Sequence, residues 1–206
     1  MYNIGDKVVY PMHGAGVIES IEEKKFLSEK QKYYIMRMPI GDMKVMIPIN
    51  NTVEIGIRDV IESETAKGVL TSFNEMTIDM SVNWNKRYRE NMLKLKSGAI
   101  LDVAYVVKSL MLREKIRGLS TGERKMLSNA KQILVSELVL AQVSESEEIL
   151  DYLNDVIETQ LTDTTQVEGD VVVAEIVELD TKVSIPETIA EVEETESVVA
   201  LETADK

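Results

Sequence analysis

The chain has 206 residues, 44% of them hydrophobic and 29% charged, enough for the core of one medium domain or two small ones. It has no cysteine, which excludes disulfide scaffolds, thiolate metal sites and cysteine nucleophiles, and its one histidine, His13, argues against a histidine relay or metal site. The net charge of −13 averages unlike parts: residues 84–132 hold 12 Lys and Arg against 4 Asp and Glu, whereas residues 160–206 hold 2 against 13.

The first part of the chain reads as strands. Lys7–Tyr10 is short and rich in β formers, and Pro11, Gly14 and Gly16 punctuate the segment after it. Gly16–Glu22, Lys32–Met38, Lys44–Ile49 and Val53–Ile55 continue the pattern, with polar or glycine-containing turns between them. Five short strands at this spacing predict a small barrel or strongly bent sheet over residues 1–58.

From Val60 the period changes to that of helices. A helix from Val60 to Phe73 and a linker fill residues 59–82. Asn83 is an N-cap for a helix in which Trp84, Tyr88, Met92 and Leu95 share one face. Ser97-Gly98 ends it, Ile100–Arg117 forms the next, and Gly118 stops that one. Ser120-Thr121-Gly122-Glu123 is a capping box that opens a helix through Ala141, and Ser144–Glu147 opens another that ends near Glu158. Residues 83–158 therefore form a helical bundle, and the whole is an α+β chain of two modules.

Residues 159–206 lack aromatic side chains and carry a large acidic excess, so they are expected to be a disordered acidic tail. The longest apolar run, Ala99–Leu112, is interrupted by Asp102 and Lys108 and cannot span a bilayer. The start of the chain lacks the basic and apolar regions of a signal peptide, so a cytoplasmic protein is expected.

No phosphate-binding loop, nucleophile elbow or paired histidines appear, so the chain does not read as an enzyme, and no metal or cofactor is expected. The basic island is the better lead. Lys86, Arg87 and Arg89 on one helix and Arg124, Lys125 and Lys131 on another either line a phosphate-binding surface or form a solvated face. Trp84 has two readings as well. It is a core residue of its stripe, or an aromatic wedge that projects from a helix start among cations.

The run Val8-Val9-Tyr10-Pro11-Met12-His13-Gly14-Ala15-Gly16-Val17, with Ile47-Pro48, resembles the N-terminal polymerase-interacting module of the CarD/CdnL family of bacterial transcription regulators. Asn83–Arg89, Gly118-Leu119-Ser120 and Gly122–Leu127 resemble that family's helical domain, and the match covers residues 1–157. The N-terminal module also occurs in transcription-repair coupling helicases, but this chain has no motor motifs.

The resemblance implies a Tudor-like five-stranded barrel that binds the RNA polymerase β subunit through an exposed strand edge. It implies a helical domain that meets promoter DNA at the upstream edge of the transcription bubble, largely without regard to sequence. Carried over by position, Trp84 is the minor-groove wedge, and Lys86, Arg87 and Arg89, with Arg124 and Lys125, hold backbone phosphates. Lys24 and Met46 match polymerase contacts, with Lys25 and Pro48 adjacent. Met46 stands where some relatives carry a basic residue, which makes that contact apolar. A monomer is expected on the polymerase. The alternative is a polymerase-bound adaptor with no DNA contact, for which the basic island is only a solvated face.

Overall fold

Val8 and Val9 point to opposite sides of β1 (Lys7–Tyr10), and both are buried, so the sheet is covered on both faces at this strand. The computed structural model describes residues 1–26, 29–41, 43–81 and 83–167. Around β1 lie β2 (Gly14–Phe26), β3 (Glu29–Arg37), β4 (Lys44–Pro48) and β5 (Arg58–Asp59), antiparallel throughout in the order β4-β3-β2-β1-β5. The expected barrel is thus an open sheet, because β4 and β5 end as separate edges. A register shift between Ile18 and Ser20 leaves Glu19 as the extra residue of a bulge, the usual device for bending a strand.

Val8, Ile18, Tyr34, Met36, Met38 and Ile47 form the core of one face. Tyr2 closes over it edge-on to Tyr34, and its hydroxyl donates to Ile57 O at 3.3 Å. The expected strand at Val53–Ile55 is instead α1 (Thr52–Ile55), one helical turn that the left-handed Gly56 ends. Two β-branched residues around a glutamate fit either state over so short a run. Here Ile55 packs onto the sheet core, and the fifth strand forms three residues later as β5.

The helical part comprises α2 (Ser63–Glu75), α3 (Trp84–Ser97), α4 (Ile100–Arg117), α5 (Thr121–Leu140) and α6 (Ser146–Val167). Their core runs from Ala66, Val69 and Phe73 on α2 through Val103, Val107 and Leu110 on α4 to Leu134 and Leu138 on α5 and Ile149, Leu153 and Ile157 on α6. Lys108 is fully buried in it. Its ammonium donates to Phe73 O (2.6 Å), Asn74 O (3.0 Å) and Met76 O (2.7 Å), which satisfies carbonyls at the end of α2. Burial pushes the Lys108 pKa down. Helix α6 runs past its expected end near Glu158. Tyr152 and Gln160 donate to Leu70 O and Asn74 O of α2, and these contacts hold it. The acidic tail expected from residue 159 therefore begins as helix, and from residue 168 onward it lies outside the described residues.

Sheet and helices meet at a built joint. Gly14, at φ +110°, brings the backbone so close to α5 that a Cβ there would lie 2.6 Å from Ser136 Oγ. The Ala15 amide donates to that hydroxyl at 2.9 Å. Arg58 of β5 forks onto the buried Glu137 of α5, with Nη2 to Oε2 at 2.8 Å, and also donates to Gly98 O at 2.7 Å. Lys7 reaches Leu140 O at the end of α5.

Candidate nucleic-acid interface

Helix α3 buries Arg87, Asn91 and Leu95, a face displaced from the Trp84–Tyr88–Met92 stripe that its apolar residues mark. Trp84 is consequently 45% exposed, in the first turn after the Asn83 cap, whose side chain accepts from Lys86 N at 3.0 Å. The indole stacks on Tyr88, with centroids 5.3 Å apart and planes 25° from parallel. Its Nε1 donates to Ser120 Oγ at 3.2 Å.

Ser120 is the N-cap of α5, and the capping box is complete. The hydroxyl accepts from Glu123 N (3.3 Å) and donates to Glu123 Oε2 (2.9 Å), while the Ser120 amide donates to Oε2 (3.2 Å). The other carboxylate oxygen of Glu123 accepts from Arg87 Nε at 3.0 Å and Nη2 at 2.7 Å. Both side chains of this ion pair are buried. Burial alone raises the Glu123 pKa. The hydrogen bonds from Arg87 and from the Ser120 amide and hydroxyl, with the guanidinium charge, outweigh it and hold the group below the usual carboxylate range.

Trp84 with Ser120 and Arg87 with Glu123 advance together along the two helices, so α3 and α5 start side by side and point the same way. Both positive helix ends thus meet at the tryptophan. The expected cations fall into two groups. Lys86, Arg89, Arg124 and Lys125 are exposed in the first two turns of these helices. Lys86 makes a loose 3.8 Å pair with Glu90, and Arg89 rests on Asn85 O. Arg87 is different. It is 6% exposed and committed to Glu123, so its geometry joins α3 to α5 and presents no charge to a phosphate. Ser120 and Glu123 belong to the arrangement although the sequence marks them only as a helix start.

On the sheet, the register after the bulge puts Lys24, Met46 and Pro48 on one face. Lys24 Nζ lies 3.1 Å from Met46 Sδ. Lys25 sits on the other face, directly opposite Lys30, so the structure does not bring it together with those three. Strand β4 pairs with β3 alone among the described residues, which leaves its outer backbone edge open.

Two family models cover these two parts. The CarD-like/TRCF RID domain matches residues 2–61, and the C-terminal domain of CarD matches residues 68–154. A Bacillus subtilis (strain 168) protein named "Putative transcription factor YdeB" is 45% identical over 148 residues, 71% of this chain and 97% of the relative. The chain belongs to the CarD/CdnL family. In this CarD family member, the RID match contains the sheet with its open edge, and the C-terminal match contains both helix starts that flank Trp84. Among the described residues, no helix is long and apolar enough to cross a membrane, and no cluster of potential metal ligands occurs.

Proposed function

We propose that this protein is a transcription regulator that docks its sheet on the RNA polymerase β subunit and stabilises the promoter open complex. In this reading the edge of β4, with Lys24, Met46 and Pro48, faces polymerase. The paired starts of α3 and α5 meet the minor groove at the upstream edge of the bubble. The observation that carries the reading is a tryptophan left half-exposed at two adjacent helix starts, whose first two turns also expose Lys86, Arg89, Arg124 and Lys125. An aromatic wedge with flanking cations is a means of holding unstacked DNA without reading its sequence.

The mechanism is differential binding. A protein that fits opened, kinked DNA better than closed duplex shifts the equilibrium by its affinity difference. One ring and a few phosphate contacts supply about 1–3 kcal/mol, on the scale of base–aromatic stacking, or roughly a five- to hundredfold change. Tethering through polymerase raises the local concentration of the helical part, so weak intrinsic DNA affinity suffices.

Salt dependence separates this from a DNA-free adaptor. Affinity of the full chain for polymerase–promoter complexes, less its affinity for polymerase alone, is expected to fall with log salt. Removing Lys86 or Lys125 then flattens the slope by about 0.9 for each phosphate that is no longer neutralised. A difference that is independent of salt and of these lysines favours the adaptor.

A further inference from the structure

Ser120 saturates its hydrogen-bonding capacity: one donated bond to Glu123, two accepted from Glu123 N and from the indole of Trp84. Glu123 is in turn locked by Arg87, so an unbroken chain Arg87–Glu123–Ser120–Trp84 runs from the buried α3–α5 seam to the exposed ring. Tyr88 supports the same ring from below, and its own ring lies against Gly122, where an added Cβ would be 3.5 Å away. A ring held in this way has already lost the rotamer freedom that a free tryptophan gives up on binding.

We propose that Ser120, held by Glu123, is a positioning residue that pre-orders Trp84 for its contact with DNA. The inference rests on the reading of Trp84 given above and adds to it the groups that set the indole's posture. The chain contains one tryptophan, so its fluorescence reports on this ring alone.

The test uses full-length protein with bacterial RNA polymerase holoenzyme on a linear promoter fragment. Ser120→Ala is expected to shift the emission of Trp84 to the red, to increase its quenching by acrylamide, and to shorten open-complex lifetime about three- to tenfold, the range of one neutral hydrogen bond. Polymerase binding stays unchanged, and Ser120→Thr, which keeps the hydroxyl and the cap, restores both readouts. Ser120→Ala also weakens the start of α5, so the decisive comparison is made in a Trp84→Phe background, which keeps a ring but has no indole donor. If Ser120 acts through the indole, its removal there costs little further lifetime. An equal loss in both backgrounds assigns Ser120 to helix capping only and overturns the inference. So does an unchanged lifetime for Ser120→Ala where Trp84→Ala shortens it, and in that case the proposed function stands. An unchanged lifetime for Trp84→Ala removes the proposed function and this inference together.

Discussion

Trp84 and Arg87, three residues apart on α3, occupy each other's ordinary places: the aromatic is half-exposed and the cation is buried. The exchange is possible because Glu123 of the neighbouring helix supplies a buried counter-charge for Arg87. Arg87→Ala leaves that carboxylate buried without its partner, and urea denaturation is expected to show a loss of about 3–5 kcal/mol. Lys86→Ala and Arg89→Ala, at exposed positions, are expected to stay within about 0.5 kcal/mol of the wild type. A stability loss at Lys86 matching that at Arg87 would contradict the assignment. Acid resolves the same pair. Because the Glu123 pKa is lowered on folding, its stabilisation is full above the ordinary glutamate range and fades as pH falls through the folded value. The stability difference between wild type and Glu123→Gln, followed from pH 7 downward, is therefore expected to stay constant at first and then shrink in acid.

Among the elements, those with strong local signals were the most legible. Helix α4 runs from Ile100 to Arg117, as its period and Gly118 predict, and α5 opens on its capping box. Legibility failed where the deciding contact is distant in sequence. Nothing in Val53-Glu54-Ile55 says that Ile55 packs on the sheet core and is not part of a strand, and nothing in residues 159–167 says that α2 offers carbonyls to the last turns of α6. The burial of Arg87 was hidden for the same reason, since its partner lies 36 residues away. Lys108 is a further case. It reads only as an interruption of the apolar run Ala99–Leu112, yet it closes the end of α2 from inside the core. Lys108→Met removes the donor to three carbonyls, and thermal denaturation is expected to register a loss of about 2–3 kcal/mol. An unchanged midpoint would mean that water replaces the ammonium at those carbonyls.

At the scale of the molecule, the angle between sheet and helices decides whether a protein bound through one can place the other on DNA. The α+β class was readable from the change of period near Val60. The joint was not, because Gly14, Arg58, Ser136 and Glu137 carry no local signature of one another. Residues 1–161 form one compact unit through that joint. Urea unfolding of the wild type, followed by Trp84 fluorescence and by circular dichroism, is expected to give a single coincident transition. Glu137→Ala strands Arg58 and is expected to lower the midpoint and to separate the two probes. Coincident transitions in that variant would show that the sheet and helices are coupled by packing alone.

The proposed function requires that Trp84 touch DNA while the sheet holds polymerase. The most direct measurement is the lifetime of polymerase–promoter open complexes with no added protein, with wild type, and with Trp84→Ala at concentrations that saturate polymerase. The wild type is expected to lengthen that lifetime, and Trp84→Ala to shorten it again by about five- to hundredfold or down to the level without protein, whichever comes first. Equal lifetimes for wild type and Trp84→Ala, both bound to polymerase, would contradict a role for the ring on DNA.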